Sequence, residues 1–185
     1  STGGGLDLRH TAVMRNCVVA ANVGTYGGGV SVYSNTGAKQ RIENCTIVGN
    51  ASKYSGSGVS SGIFYNCIIY SNNTWLWGEN NWNTNDTFIA FTNCCTIPAQ
   101  DGWDESNTTN NPMFVDIGTA YGESHPTNLH VGDYHLRGSS PCINAGLYFE
   151  WMEDPADVRS KDLDEQKRIR YGTVDMGAYE FAGVG

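Results

Sequence analysis

Positive charge is scarce in this chain. Its 185 residues include 11 lysines and arginines against 19 aspartates and glutamates, which gives a formal net charge of −8. Nucleic acid and anionic membranes attract positively charged proteins, so neither is a predicted partner. The chain also lacks an apolar run of about 18 residues, the length that a membrane-spanning helix needs, so we expect no membrane insertion.

Helical patterning is missing as well, because no segment repeats apolar residues with a helical period over several turns. No Cys-x-x-Cys motif occurs and the histidines are not spaced as ligand pairs, so the sequence does not predict zinc binding. The sequence predicts no signal peptide, and it starts in a glycine turn without a recognisable cap for a first coil. We therefore expect either a fragment of a longer protein or a chain whose open end is covered by a partner.

What the chain does contain is a repeated phrase: an apolar residue, a variable one, Asn-Cys, another variable residue and an aliphatic one. Its copies begin at Met14, Ile42, Phe64 and, in a frayed form, Phe91, and these starts are 28, 22 and 27 residues apart. A phrase that recurs at a period of about 20 to 50 residues is typical of a solenoid, in which each repeat forms one coil.

The phrase predicts a strand, an asparagine corner and a second strand in each coil. Asparagine tolerates left-handed backbone, and the cysteine and the last aliphatic residue lie two apart, so both face inward. We expect the corner asparagines to stack and hydrogen-bond, and the cysteines to fill the core. A second asparagine follows each corner by six residues, at Asn22, Asn50 and Asn72. The predicted structural ladder consists of Asn16, Asn44, Asn66, Asn93, Cys17, Cys45, Cys67 and Cys94.

These features predict an all-β fold, a parallel β-helix forming one domain. Residues 1–97 are expected to form its coils, and residues 98–185 its last coils and an irregular C-terminal cap. The alternative is an antiparallel sandwich whose strands resemble one another by coincidence. A hairpin fold does not demand the same corner residue each time, which favours the β-helix.

The six cysteines raise the question of disulfides. Cysteines in equivalent positions of successive coils would lie about one strand spacing apart, ~4.8 Å, whereas the Cβ atoms of a disulfide favour ~3.8 Å. We therefore expect the ladder cysteines of the clean repeat to be unpaired. Cys94, Cys95 and Cys142 lie outside that repeat, and one bridge among them stays open.

Four ordered segments of the second half carry a family resemblance. They read N-P-M-F-V-D at 111–116, D-Y-H-L-R-G-S-S-P-C-I-N-A-G at 133–146, D-L-D-E-Q-K-R at 162–168 and V-D-M-G-A-Y-E at 174–180. In these segments the chain resembles the C-terminal end of bacterial right-handed parallel β-helix proteins of the choice-of-anchor type. The resemblance implies a right-handed β-helix at an extracellular or cell-surface location. Many members of that family lack a known activity, so it implies little about chemistry.

Acidic residues near the C-terminus form a candidate calcium site. Asp162, Asp164 and Asp175, with Glu165, could supply the oxygen ligands that Ca²⁺ prefers. Asn144 and Glu165 depart from the family pattern, which has Asp and Gly there. The alternative is a capping loop in which the aspartates accept hydrogen bonds from their own backbone and pair with nearby arginines.

Tryptophans form the second candidate site. Trp75, Trp77 and Trp82 lie in an insertion between the third and fourth copies of the phrase, and Trp103 lies in the next loop. Exposed indoles beside Asn and Glu could stack on sugar rings, which would make this a carbohydrate-binding surface. The alternative is that the loop folds back and buries its indoles against the solenoid.

No catalytic residues are predicted. Arg15, Glu43 and Tyr65 occupy one outward row just before the corner asparagines, which could be an active face or a surface charge ladder. The leading hypothesis is a non-catalytic, extracellular structural or adhesive module. Its expected partners are further coils, either of a longer chain or of other copies joined head to tail in a filament. The alternative is a carbohydrate-active β-helix, as a lyase fragment or a glycan-binding module.

Overall fold

The computed structural model describes residues 4–33, 40–75, 78–119 and 130–183 of the chain. Within these residues the secondary structure is short strands, with two short 3₁₀ helices near the C-terminus. We define four coils: coil 1 (residues 6–24), coil 2 (30–52), coil 3 (59–74) and coil 4 (82–96). Coil 1 contains β1 (Leu6–Arg9), β2 (Val13–Arg15), β3 (Val18–Ala20) and β4 (Val23–Gly24). Coil 2 contains β5 (Val30–Tyr33), β6 (Arg41–Glu43), β7 (Thr46–Val48) and β8 (Ala51–Ser52).

The later coils have fewer strands. Coil 3 contains β9 (Ile63–Tyr65), β10 (Ile68–Tyr70) and β11 (Asn73–Thr74), and β12 (Gly78–Glu79) follows it. Coil 4 contains β13 (Ala90–Thr92) and β14 (Cys95–Thr96). Strands at the same position in successive coils pair in parallel, giving the stacks β2-β6-β9-β13, β3-β7-β10-β14 and β4-β8-β11, with β12 antiparallel at the end of the last. The predicted all-β fold with stacked parallel strands is confirmed.

The repeated phrase explains this stacking. Its first apolar residues, Met14, Ile42, Phe64 and Phe91, are in register and pack in one interior cluster with the ladder cysteines. All six cysteines are free thiols, including the three for which a bridge was open. The corner asparagines have φ between 51° and 52°, the left-handed geometry that the sequence predicts for a tight corner.

The structure corrects the expected asparagine ladder. The corner row shows a single long side-chain contact, 3.5 Å from Asn66 to Asn44. The continuous ladder forms in the second row, where Asn22 donates to Asn50, Asn50 to Asn72 and Asn72 to Asn81. These side-chain hydrogen bonds measure 3.0, 2.9 and 2.9 Å.

The chain after coil 4 has two parts. An end loop (residues 98–110) follows coil 4, and one parallel bridge, Cys95 to Thr108, extends a sheet into it. Then β15 (Phe114–Asp116) and β16 (Asp133–Leu136) form an antiparallel pair. The C-terminal segment (residues 142–181), with 3₁₀ helices at Glu150–Met152 and Val158–Ser160, packs against the outer side of β7 and β10 in a second core cluster.

Candidate functional site

Coil 1 forms one edge of the stack of described coils. Its strands β2, β3 and β4 are terminal in their sheets and pair with coil 2 only, among the residues that the structure describes. Its interior is less covered than that of the later coils: Val19 is half-buried, whereas its counterparts Ile47 and Ile69 are 0% exposed. The edge therefore presents both unpaired strand backbone and apolar side chains.

The composition of this edge does not block strand pairing. Natural sheets protect exposed edges with lysine, proline or bulges. The four strands of coil 1 contain neither lysine nor proline, and Val13 is 43% exposed. The charges that are present are partly neutralised, since Arg9 forms a 2.7 Å ion pair with Asp7. The edge of coil 1 thus has the properties of an interface for another strand.

The other end of the stack is covered by the end loop. The Asn107 side chain accepts a hydrogen bond from the Cys94 N–H at 2.9 Å, and Ser106 Oγ accepts one from the Asn93 N–H at 3.1 Å. Gln100 donates to the Ile89 carbonyl at 2.8 Å. Side chains of the loop therefore bond backbone groups that a fifth coil would otherwise pair. The predicted cap at this end is the end loop, whereas the C-terminal segment lies along the side of the coils.

The corner asparagines hold the C-terminal segment along that side. Three of their four side-chain amides donate to its backbone carbonyls, in coils 1, 3 and 4, whereas the amide nitrogen of Asn44 in coil 2 is buried without a hydrogen-bond partner among the described residues. The contacts join Asn16 to Arg159 and Lys161 (2.9 and 2.8 Å), Asn66 to Leu147 (2.8 Å) and Asn93 to Ala145 (2.8 Å). The corner row is thus a docking strip for a segment that lies far away in the sequence.

A buried ion pair fastens the same segment. Arg168 is 0% exposed and donates to Glu180 at 3.1 Å, to Asn16 Oδ1 at 2.8 Å and to the carbonyl of Ala178 at 2.9 Å. Burial acts to raise the pKa of Glu180, and the positive charge of Arg168 acts in the opposite direction. The sequence predicts only that arginines near the C-terminus pair with acidic residues, and it gives no sign of the contact between Arg168 and Asn16.

The predicted calcium residues form part of this packing. Asp162 accepts three backbone hydrogen bonds at 2.8 to 2.9 Å, and Asp175 accepts two, at 2.6 and 2.7 Å. Asp164 contacts His135 instead. These backbone N–H bonds account for both oxygens of Asp162 and of Asp175, and the described residues contain no group of three or more His, Cys, Asp or Glu placed to hold a metal ion. The geometry is that of the alternative, a hydrogen-bonded loop.

The described tryptophans do not form an exposed group. Trp82 is 4% exposed, lies in the interior cluster and donates to the Pro98 carbonyl at 3.0 Å. Trp103 packs edge-on against Phe91, and Trp75 is half-buried. Trp77 lies outside the described residues. A sugar ring could not stack on Trp82, so burial of the indoles is the better interpretation for this residue.

The outward row before the corners is also occupied. Glu43 is 0% exposed and pairs with Arg15 and, at 2.6 Å, with Arg41. Trp151 of the C-terminal segment, which the sequence did not single out, lies with its ring centre 5.3 Å from the Arg15 guanidinium. A buried carboxylate between two arginines is not accessible to a substrate, so this row fits a structural charge ladder.

A scan against known protein families finds no matching family, and comparisons with curated proteins and with solved structures find no match. In the described residues, no helix has the length and apolar character needed to cross a membrane. The resemblance to the choice-of-anchor type therefore stays a prediction. Among the described surfaces, the edge of coil 1 is the strongest candidate functional surface. The opposite end of the stack, at coil 4, is covered by the end loop.

Proposed function

We propose that this chain is a non-catalytic, extracellular structural module, a right-handed parallel β-helix that associates through the edge of coil 1. The observation that supports it most is a contrast within the described residues: strands of coil 1 have a neighbouring strand on one side only and expose Val13, whereas the end loop covers coil 4. The extracellular location rests on the resemblance of the four C-terminal segments.

The partner that we propose is the same edge on a second copy of the chain. Head-to-tail assembly would need coil 1 of one copy to reach coil 4 of the next, and the end loop already bonds the backbone there. Contact between two equivalent coil 1 edges leaves both end loops in place. Such an interface is closed, so it produces a dimer rather than a filament.

The test is the oligomeric state of the purified chain across a wide concentration range, measured by light scattering after size exclusion and by electron microscopy. We expect a dimer for the wild type. Val13→Lys places a charge on the exposed edge of β2 and should yield monomers. Val115→Lys is the matched control, because Val115 is 42% exposed on β15, and this variant should stay dimeric.

Three results would contradict the proposal. A wild type that stays monomeric at high concentration would overturn association through coil 1. Filaments would show that the end loop is displaced and would favour head-to-tail contact. An equal loss of dimer in both lysine variants would place the interface elsewhere.

A further inference from the structure

A cavity of about 410 Å³ lies at the surface of the C-terminal segment. Pockets that bind small molecules have volumes of ~300 to 1,000 Å³ and combine apolar walls with a few polar groups. Ile143 and Phe181 contribute apolar surface to this cavity. Asn144, Arg170 and Thr173 contribute polar groups. The size and the lining of the cavity are therefore those of a binding pocket.

A two-residue turn presents an aromatic ring at this cavity. Arg170 and Thr173 pair with each other, and Tyr171 and Gly172 form the turn between them with φ of 54° and 83°. Positive φ at both central residues favours asparagine and glycine, so a tyrosine at the first position is strained. Tyr171 is nevertheless 88% exposed, so burial of its ring does not offset the strain. A strained and exposed aromatic residue that lines a cavity indicates a functional position.

Two polar side chains of the cavity wall have hydrogen-bond donors to spare. The Arg170 guanidinium donates to the Phe181 carbonyl at 3.1 Å, and its other N–H groups make no hydrogen bond among the described residues. The Asn144 side chain accepts from the Thr173 hydroxyl through Oδ1, while its Nδ2 has no hydrogen-bond partner in the described part of the chain. These N–H groups are available to the oxygen atoms of a ligand.

The charges of the cavity wall disfavour an anionic ligand. Asp175 and Glu180 also line the cavity, and both are almost fully buried. Arg168 neutralises Glu180 in their ion pair, which leaves one negative charge on Asp175 and one positive charge on Arg170. The chain as a whole carries a formal charge of −8, which repels anions further. A neutral ligand with many hydroxyl groups meets no such repulsion and can accept hydrogen bonds from the free donors.

Two further depressions extend the cavity along the surface of residues 165–171. One, of about 380 Å³, shares Arg170 and Tyr171 with the cavity. The other, of about 390 Å³, shares Lys167 and Ile169 with the first depression. Tyr171 therefore lines two adjoining spaces. A row of similar spaces suits a ligand that is built from linked units of similar size.

We propose that these depressions bind a neutral glycan, with a sugar ring packed against Tyr171. The C–H groups of a sugar face pack on the negative face of an aromatic ring. The sugar hydroxyls accept hydrogen bonds from Arg170 and Asn144. The site includes none of Trp75, Trp77, Trp82 and Trp103, for which the sequence predicts carbohydrate binding. It also includes no residue of coil 1, so it does not depend on the proposed association.

The experiment titrates the isotopically labelled chain with linear tetrasaccharides and follows its amide resonances by NMR. The neutral probes are tetrasaccharides of glucose, mannose and galactose. A tetrasaccharide of galacturonic acid tests the preference for a neutral ligand, and tetra-alanine tests an extended peptide in the same groove. We expect a neutral tetrasaccharide to bind and to shift resonances of residues 143–144, 165–173 and 180–183. The acidic tetrasaccharide and the peptide should bind more weakly.

Tyr171→Asn separates binding from stability, because asparagine is favoured at this position of the turn. The variant should be at least as stable as the wild type in urea unfolding, yet it should bind the glycan about tenfold more weakly. Tyr148→Asn is the matched control. Tyr148 is 45% exposed on the same segment but does not line the three depressions, so its loss should leave the affinity unchanged.

Failure of every neutral tetrasaccharide to bind would overturn the inference. Tighter binding of the galacturonic acid tetrasaccharide or of tetra-alanine would overturn it as well, and so would an unchanged affinity of Tyr171→Asn. These outcomes are read from binding, whereas association through coil 1 is read from the oligomeric state, so either idea can fail without the other.

Discussion

Two rows of asparagine repeat along the coils, and they stabilise different parts of the molecule. The corner row turns the chain in left-handed geometry and donates to the C-terminal segment. The inner row is a hydrogen-bonded ladder from each coil to the next. The corner row consists of Asn16, Asn44, Asn66 and Asn93, and the inner row of Asn22, Asn50, Asn72 and Asn81.

The difference shows that one residue type at one period can have two roles. A residue that turns a corner has its side chain outside the coil, where a distant segment can bind it. A residue inside the coil is surrounded by the adjacent coils, so its side-chain amide forms a hydrogen bond with the equivalent asparagine of the next coil. Docking of the C-terminal segment and stacking of the coils are therefore separable, and variants of each row should affect one without the other.

The largest effect should follow loss of the ion pair that supports the corner row. Arg168→Met removes a fully buried cation and leaves Glu180 and Asn16 without their partner. Breaking a buried pair on one side costs about 3–5 kcal/mol, and we expect a loss of that size in the free energy of unfolding in urea. Hydrogen exchange should increase in the C-terminal segment, while amides of the inner row stay protected.

Arg170→Met is the matched control for Arg168→Met. Arg170 is half-buried, and its side chain donates one hydrogen bond among the described residues, to the Phe181 carbonyl at 3.1 Å. Its loss should cost about 1 kcal/mol. Equal losses for the two variants would mean that the Arg168 network has no special role in docking the segment.

The second effect concerns the inner row. Asn72→Ala removes a side chain that is 0% exposed and bonds Asn50 and Asn81. Leaving such partners unsatisfied costs about 1–3 kcal/mol, and the loss should appear as faster hydrogen exchange in coils 2 and 3. The control is Asn73→Ala, because Asn73 is next to it and half-buried. Faster exchange confined to the C-terminal segment would contradict the separation of the two rows.

A third test separates two contributions of a corner asparagine to stability: the hydrogen bond of its side chain and the left-handed geometry of its backbone. Asn66 has φ 52° and bonds Leu147 through its side chain. Asn66→Gly loses the side-chain contact but keeps the backbone geometry, whereas Asn66→Ala loses the contact and also strains the corner. The alanine variant should therefore be less stable by a further ~1 kcal/mol in urea unfolding. Equal stability of the two would show that the corner backbone is not strained by a side chain.

The sequence predicts the coils better than it predicts what covers them. The period of the phrase, the left-handed corner at Asn66 and the burial of Cys67 follow from local geometry, so the pattern alone indicates them. The contact of Arg168 with Asn16 joins residues at opposite ends of the chain, and no local period encodes it. Trp82 was ambiguous for the same reason, since only its distant neighbours determine whether its ring is buried.

The smallest expected effect is a pH dependence of the folding stability. It arises from His135, and the inner row of asparagines has no titratable group that could produce it. Burial lowers the pKa of His135, but hydrogen bonds with Asp133 and Asp164 outweigh it, so the pKa is raised. A histidine with a raised pKa stabilises the fold fully below its unfolded pKa of about 6.5, and this stabilisation is lost as pH rises through the folded pKa.

The difference in stability between the wild type and His135→Gln should therefore be larger at pH 5.5 than at pH 8.5. The His135 side chain is 40% exposed, so solvent screening limits the change to under about 1 kcal/mol. Urea unfolding at both pH values measures it. Asn72→Ala removes no titratable group, and its cost should be the same at both. An equal cost of His135→Gln at the two pH values would mean that the contacts of His135 do not depend on its charge.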